Sequence, residues 1–338
     1  MRGEQSSTIQ KNRRGQGVRE KQPLAQRKGS PIVWAIDSTR LESFQIQKTR
    51  KVLEYWIKGK QDILPVSIFS PFDLGLIMPS NRKLKAQTMK EVEGRVKEKW
   101  EEQSISGESA NFLVAESNSL RDRAQALVDF ARRKKAEIIV TGSGAKSRMN
   151  LIGIGSFAET LISISPIPVL VIGENVTTIT PFTRILFPTD FSDASKQTFR
   201  TVVKFAKKHK SEVLLYHYLD LESGPLAFGI SWGYEVRWIE EFWEEQEEQK
   251  RLLGAKWKEW AKKQGIKCSF ICDRSIGGLG NRILETSREN QANLLSISVT
   301  RGPLSQVILG HTIRGIFAHS HCPALVIHSK SKQGRLHS

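Results

Sequence analysis

Two short segments hold the residue types best suited to gripping a small anionic ligand. The first is Gly142-Ser143-Gly144-Ala145-Lys146-Ser147-Arg148, followed by Gly153-Ile154-Gly155-Ser156. Small side chains let backbone N–H groups approach phosphate oxygens closely. A helix beginning at Gly155-Ser156 adds the positive end of its dipole, and Ser156 adds a hydroxyl. Lys146 and Arg148 supply charge. The second segment is Asp37-Ser38-Thr39. A carboxylate at the end of a strand can accept a hydrogen bond from an amino group such as that of adenine. Asp, Ser and Thr are also favoured helix N-caps, and the two roles can hold together.

Other chemistries have less support. Gly-x4-Gly-Lys-(Ser/Thr), the P-loop pattern, does not occur. Cys268-x3-Cys272 would place two thiols on one face of a strand, but a structural zinc site needs four ligands and no second pair stands at suitable spacing. His311, His319, His321 and Cys322 cluster in sequence, and capping or surface histidines explain them more simply. No Ser-His-Asp or paired-carboxylate arrangement follows from spacing, so no catalytic residue is assigned.

The elements that must position these segments repeat. Gly155-Ser156 opens an apolar stretch that closes on Pro168-Val169-Leu170-Val171-Ile172, and Gly310-His311 opens another that closes on Pro323-Ala324-Leu325-Val326-Ile327. The offset is 155 residues, too long for a solenoid unit, which runs about 20–50 residues. Strands are expected at 32–36, 63–69, 111–115, 137–141 and 169–172, then at 184–187, 213–216, 267–271, 293–297 and 324–328. Helices fall between them at 39–58, 83–103, 120–134, 155–164, 194–209, 238–263, 279–290 and 310–319. Bare Val/Ile/Leu strands alternating with helices argue a parallel sheet covered on both faces. The expected fold is α/β, with two tandem open parallel-sheet domains at 30–174 and 183–329, a linker at 175–182, and tails at 1–29 and 330–338. In helix 238–263 the residues Ile239, Phe242, Trp243, Leu252, Leu253, Trp257 and Trp260 read as a core face, and its glutamates as a solvated one.

Net charge is +17, of which residues 1–29 carry +6. A basic surface favours anionic partners such as nucleotides, nucleic acid or acidic lipid, and a basic proteome or a solubility device accounts for it equally well. The first 29 residues are too poor in apolar side chains to offset ordering entropy and read as a disordered tail. No apolar run reaches the roughly 18 residues of a membrane span. A polar N-terminus and only three cysteines fit a reducing cytoplasm.

The chain resembles a tandem universal stress protein over residues 31–173 and 183–329. Ile185-Leu186-Phe187-Pro188-Thr189-Asp190-Phe191-Ser192-Asp193-Ala194-Ser195 is very like that family's opening segment. The resemblance implies five-stranded, Rossmann-like domains of adenine-nucleotide α-hydrolase-like topology, packed as a pseudo-dimer through their final strands. The family's ATP-binding members carry an Asp after strand one and a Gly-x2-Gly-x9-Gly-(Ser/Thr) loop. Here Asp37 matches the acid, and Gly142-x2-Ala145-x9-Gly155-Ser156 matches the loop at three of four positions. The nucleotide-binding candidates are thus Asp37, Gly142, Ser143, Ala145, Lys146, Gly155 and Ser156. In the second half only Asp190 and Gly310 remain. The leading glycines fall on Ile297 and Thr300, or on Ser298 and Arg301 when counted from the strand, and His311 replaces the hydroxyl residue. The second half is expected to have lost phosphate binding and to serve as the partner of the first.

By resemblance the protein is a stress-response regulatory or protective factor that binds ATP or a related adenine nucleotide in its first half. A magnesium ion would enter only as the nucleotide's counter-ion, and turnover would be slow hydrolysis at most. Two alternatives stay open. One is an interaction scaffold that binds no nucleotide, and the other is association with nucleic acid or acidic surfaces through the basic tail. A homodimer is a further expected form.

Overall fold

The structure is a computed structural model that describes residues 29–36, 44–57, 61–72, 110–143, 155–220, 236–300 and 310–329, with five helical, exposed positions between 87 and 98. The described elements, in chain order, are β1 (Gly29–Ile36), α1 (Phe44–Ile57), β2 (Gln61–Phe69), β3 (Asn111–Val114), α2 (Leu120–Arg133), β4 (Ile138–Gly142), α3 (Ser156–Ile164) and β5 (Val169–Ile172). The second series is β6 (Arg184–Pro188), α4 (Asp193–His209), β7 (Glu212–Tyr218), α5 (Val236–Lys263), β8 (Cys268–Asp273), α6 (Leu279–Glu289), β9 (Leu294–Thr300), α7 (His311–His319) and β10 (Ala324–Ser329). Two of the described helices begin at capping serines. Ser119 accepts from Asp122 N at the start of α2, and Ser192 accepts from Ser195 N at the start of α4.

All the described strands join one ten-stranded sheet in the order β3-β2-β1-β4-β5-β10-β9-β6-β7-β8. Every pairing is parallel except one: β5 and β10 run antiparallel, with Leu170 opposite Leu325, Val171 opposite Ala324 and Val169 opposite Val326. Under the 155-residue offset Leu170 and Leu325 are equivalent positions, so the internal two-fold axis passes between them. The two halves are therefore a pseudo-dimer within one chain. Val169–Ile172 and Ala324–Ile327 are buried, and each strand removes the other's exposed edge.

Alternation along the strands sends side chains to two cores. One, under α1, α4 and α5, holds Trp34, Leu53, Leu170, Phe187, Phe199, Trp257 and Leu325. The other, under α2, α3, α6 and α7, holds Val33, Leu127, Leu161, Val171, Leu186, Ile283, Phe317 and Val326. Both run without interruption across the β5–β10 junction. As expected, Trp243 and Trp257 are buried in α5, while Leu252, read from the sequence as inward, is 55 % exposed. The reason is angular: the apolar residues of α5 span more of its circumference than the stripe that meets β8, and Leu252 falls outside it.

The segment joining the halves is held down. Val176 and Phe182 are buried, and the Thr177 and Thr178 N–H groups both donate to His321 O at 2.9 Å. Around the two-fold, equivalent positions meet with different chemistry. Gly173 lies so close to α7 that a Cβ there would sit 2.9 Å from Phe317 O. Its counterpart His328 contacts Ile162 O through Nε2 at 2.5 Å. Glu159 of α3 pairs with Arg314 of α7, whose Nε lies 3.1 Å from Oε1.

Candidate functional site

In each half the strand order reverses once: between β1 and β4 in the first, and between β6 and β9 in the second. Helices leave opposite faces of the sheet at such a point and open a crevice at the carboxyl ends of the strands, where open α/β sheets bind ligands.

In the first half that crevice receives the end of β4. Gly142 closes the strand in register with Ile172, and Ser143 N donates to Ile172 O at 3.0 Å. Gly155 N donates to Ser143 O, so the two ends of the intervening loop are tied together at its base. Gly155 is also the N-cap of α3, with φ −61° and ψ 146° and no side-chain capping bond, and the exposed Ser156 is the first helical residue. Gly142, Ser143, Gly155 and Ser156 are thus brought together at the dipole-positive end of α3, beside the carboxyl end of β1. Asp37, Ala145 and Lys146 lie outside the described residues.

One residue here escaped the sequence reading. Gln45, on α1, donates from Nε2 to Ile172 O at 2.5 Å. Its side chain lies over Gly142, where an added Cβ would be 3.1 Å from Gln45 Cγ and 3.2 Å from Nε2. A close approach to Gly142 does exist, and it is made by a glutamine amide 97 residues away in sequence. One turn on, the buried Lys48 donates to Glu174 O at 2.6 Å. Burial lowers its ammonium pKa, opposed by the charge of Glu174.

In the second half Asp190 stands exposed at the end of β6. Its Oδ1 accepts from Ser192 N at 2.9 Å and from Ser195 Oγ at 2.5 Å. Burial would raise its pKa, but the hydrogen bonds from Ser195 and Ser192 outweigh it and hold the carboxyl below its ordinary value. Gly310 is the N-cap of α7 and, like Gly155, makes no side-chain capping bond. Between these elements lies a cleft of about 450 Å³.

Behind Tyr216, which lines that cleft, lies a polar cluster no motif announced. Tyr216 is fully buried and donates from its hydroxyl to Asp273 Oδ2 at 2.7 Å. Arg282 Nε donates to the same oxygen at 3.0 Å, and Ser275 N to Oδ1 at 2.8 Å. Burial and the Asp273 carboxylate push the Tyr216 phenol well above its usual value, so it stays protonated. His217 Nδ1 lies 2.7 Å from Thr189 O, and burial lowers its pKa. The only sequence hint was that Tyr216 and Tyr218 end a strand where ligand-facing residues gather.

The remaining candidates are structural. Cys268 and Cys272 are free thiols on edge strand β8, and burial pushes them up to about 12 and about 11. His321 Nε2 lies 3.1 Å from Ala292 O, and Cys322 is buried. Among the described residues no group of three or more His, Cys, Asp or Glu side chains could hold a metal, and no helix is long and apolar enough to cross a membrane.

A profile of the Universal stress protein family matches residues 81–173 and again 181–328, together well over half of the chain. The chain belongs to the universal stress protein family. A universal stress protein of Methanocaldococcus jannaschii is 28% identical over 165 residues, covering 48% of this chain and 88% of that one. Among solved structures, a universal stress protein from Archaeoglobus fulgidus superposes with a TM-score of 0.59 at 18% identity, covering 88% of this chain and 98% of its own. A Pseudomonas aeruginosa protein described as functionally unknown gives 0.53 at 13% identity, covering 89% and 92%. At these identities the structures speak to the fold alone, and each spans both halves of this universal stress protein.

Proposed function

We propose that this universal stress protein binds an adenine nucleotide, ATP in the first instance, in its first half, and that its second half has lost family-type phosphate binding and serves as the partner that completes the sheet. The observation that carries the reading is the Gly155 N–H···O=C Ser143 bond. It gathers Gly142, Ser143, Gly155 and Ser156 at the switch point, with the free amides of α3 beside them. Lys146 and Asp37 would add charge and adenine contact as the family pattern implies. With no general base assigned, the role is regulation or protection rather than fast turnover.

The test is a calorimetric titration of ATP into the wild type and Gly155→Asp. Gly155 occupies an N-cap with extended backbone, a position Asp favours, so the variant should fold at least as well. Its negative charge opposes phosphate. Micromolar binding to the wild type that is lost in the variant supports the reading, and absence of binding to folded wild type overturns it. The alternative of an interaction scaffold draws on Gln45, which already occupies the face of Gly142.

A further inference from the structure

Gln45, which lies over Gly142, has an equivalent in the second half. Asp190 follows Asp37 by 153 residues, and Thr198 follows Gln45 by the same 153. Ile46, Val52 and Leu53 of α1 are buried, as are their counterparts Phe199, Phe205 and Ala206 of α4. On the strands, Gly142 pairs with Ile172 and Ser298 with Ile327, two positions related by the 155-residue offset. The Gln45–Gly142 contact therefore stands where Thr198 meets Ser298 in the second half, hydroxyl to hydroxyl at 2.7 Å. Ser298 lines the second-half cleft, so the equivalent contact belongs to the wall of the first-half crevice.

The two halves differ in what this contact leaves open. Thr198 and Ser298 bond each other. Glycine at 142 instead makes room for a carboxamide, anchored through Nε2 on Ile172 O at 2.5 Å. Gln45 is half-buried, and its Oε1 accepts from no described group yet is not sealed from solvent. It is an anchored, uncharged acceptor at the carboxyl end of β4. Ile172 O does not depend on it, because Ser143 N donates to the same oxygen at 3.0 Å. A contact made for packing alone would be served by an apolar side chain of the same length.

The groups suited to phosphate begin one residue further along the chain, where Ser143 is tied to Gly155 at the start of α3. In a nucleotide the unit joined to the phosphates is the sugar, whose hydroxyls are neutral hydrogen-bond donors that suit a carboxamide oxygen. We propose that Gln45 is the residue that reads the sugar. Its Oε1 accepts from a ribose hydroxyl, and the first half accordingly prefers ribonucleotides to their deoxy counterparts. This specificity rests on the adenine-nucleotide reading above and deepens it.

The test is calorimetric titration of ATP, 2′-deoxy-ATP and 3′-deoxy-ATP into the full-length wild type, Gln45→Met and Gln47→Met. In the wild type, ATP should bind about three- to tenfold tighter than at least one deoxy compound, the ratio that one hydrogen bond supplies. Gln45→Met keeps the length of the side chain and loses the acceptor. It should bring ATP down to the affinity of that deoxy compound and leave the deoxy compound where it was, which also shows that the variant is folded. Gln47→Met, at an exposed position of α1, should keep the wild-type ratio. Equal affinity of the wild type for all three nucleotides would overturn the assignment. So would a ratio that survives Gln45→Met, including an equal weakening of all three, which is what a merely structural role predicts. Absence of binding of any nucleotide to folded wild type is a different failure: it overturns the nucleotide reading itself, and this assignment with it.

Discussion

Gly142 can be a glycine for two reasons, and one substitution separates them. If it is glycine for a ligand, Gly142→Ala weakens nucleotide binding whatever stands at position 45. If it is glycine for helix packing, its effect depends on Gln45. A Cβ at 142 would lie 3.1 Å from Gln45 Cγ and 3.2 Å from Nε2, tighter than ordinary contact. The amide cannot simply swing away, because Nε2 is bonded to Ile172 O at 2.5 Å. Displacing it forfeits a hydrogen bond worth about 0.5–1.5 kcal/mol, and overpacking adds to that. Against this, replacing glycine stabilises by about 0.4–1 kcal/mol through the unfolded chain. The net expectation is a loss of roughly 1 kcal/mol for Gly142→Ala in the wild-type background. In a Gln45→Ala background the same change should be neutral or stabilising by about 0.5 kcal/mol. Urea unfolding of the four proteins, followed by circular dichroism and tryptophan fluorescence, gives the coupling. An equal cost of Gly142→Ala in both backgrounds would refute the packing argument. ATP titration of the same four proteins then reads the ligand role directly.

Three further outcomes are expected. Burial, reinforced by the charge of Lys208 and opposed by Glu137, lowers the His209 pKa from 6.5 to about 4. A folded-state value below the unfolded one means that the unfolded chain takes the proton, so this contribution is complete above pH 6.5 and is lost as pH falls toward about 4. His209→Phe, which keeps the stack on Phe205, should therefore flatten the denaturation midpoint across that window, and an unchanged acid slope would count against it. Gly254→Ala, in the middle of α5, gains about 1 kcal/mol of helix propensity but places a Cβ 2.5 Å from Cδ1 of Phe270, so thermal unfolding should show a net loss of about 1–2 kcal/mol. Arg314→Glu should cost about 0.5–1 kcal/mol at the half-exposed pair with Glu159, and the swap Arg314→Glu with Glu159→Arg should recover most of it in a double-mutant cycle.

The amino-acid sequence by itself determined the secondary structure and its repetition. Strands such as Val169–Ile172 are bare apolar runs, helices such as α4 carry their own cap, and the 155-residue offset is visible without any fold in hand. It also marked Gly142, Ser143, Gly155 and Ser156, because a glycine-rich turn leading into a helix is a local pattern whose spacing is visible in one dimension. What only the tertiary structure decided are the partnerships between residues far apart in the chain. Gln45 over Gly142, and Tyr216 with Asp273 and Arg282, have no spacing to betray them. Asp190 looked like the remnant of a lost site, and the fold set its carboxylate against Ser192 and Ser195 at the rim of a cleft. Local patterns obey the 2.0 and 3.6 periods of the backbone, whereas a side chain's partner across the sheet is set by register and helix docking, which the whole core determines at once.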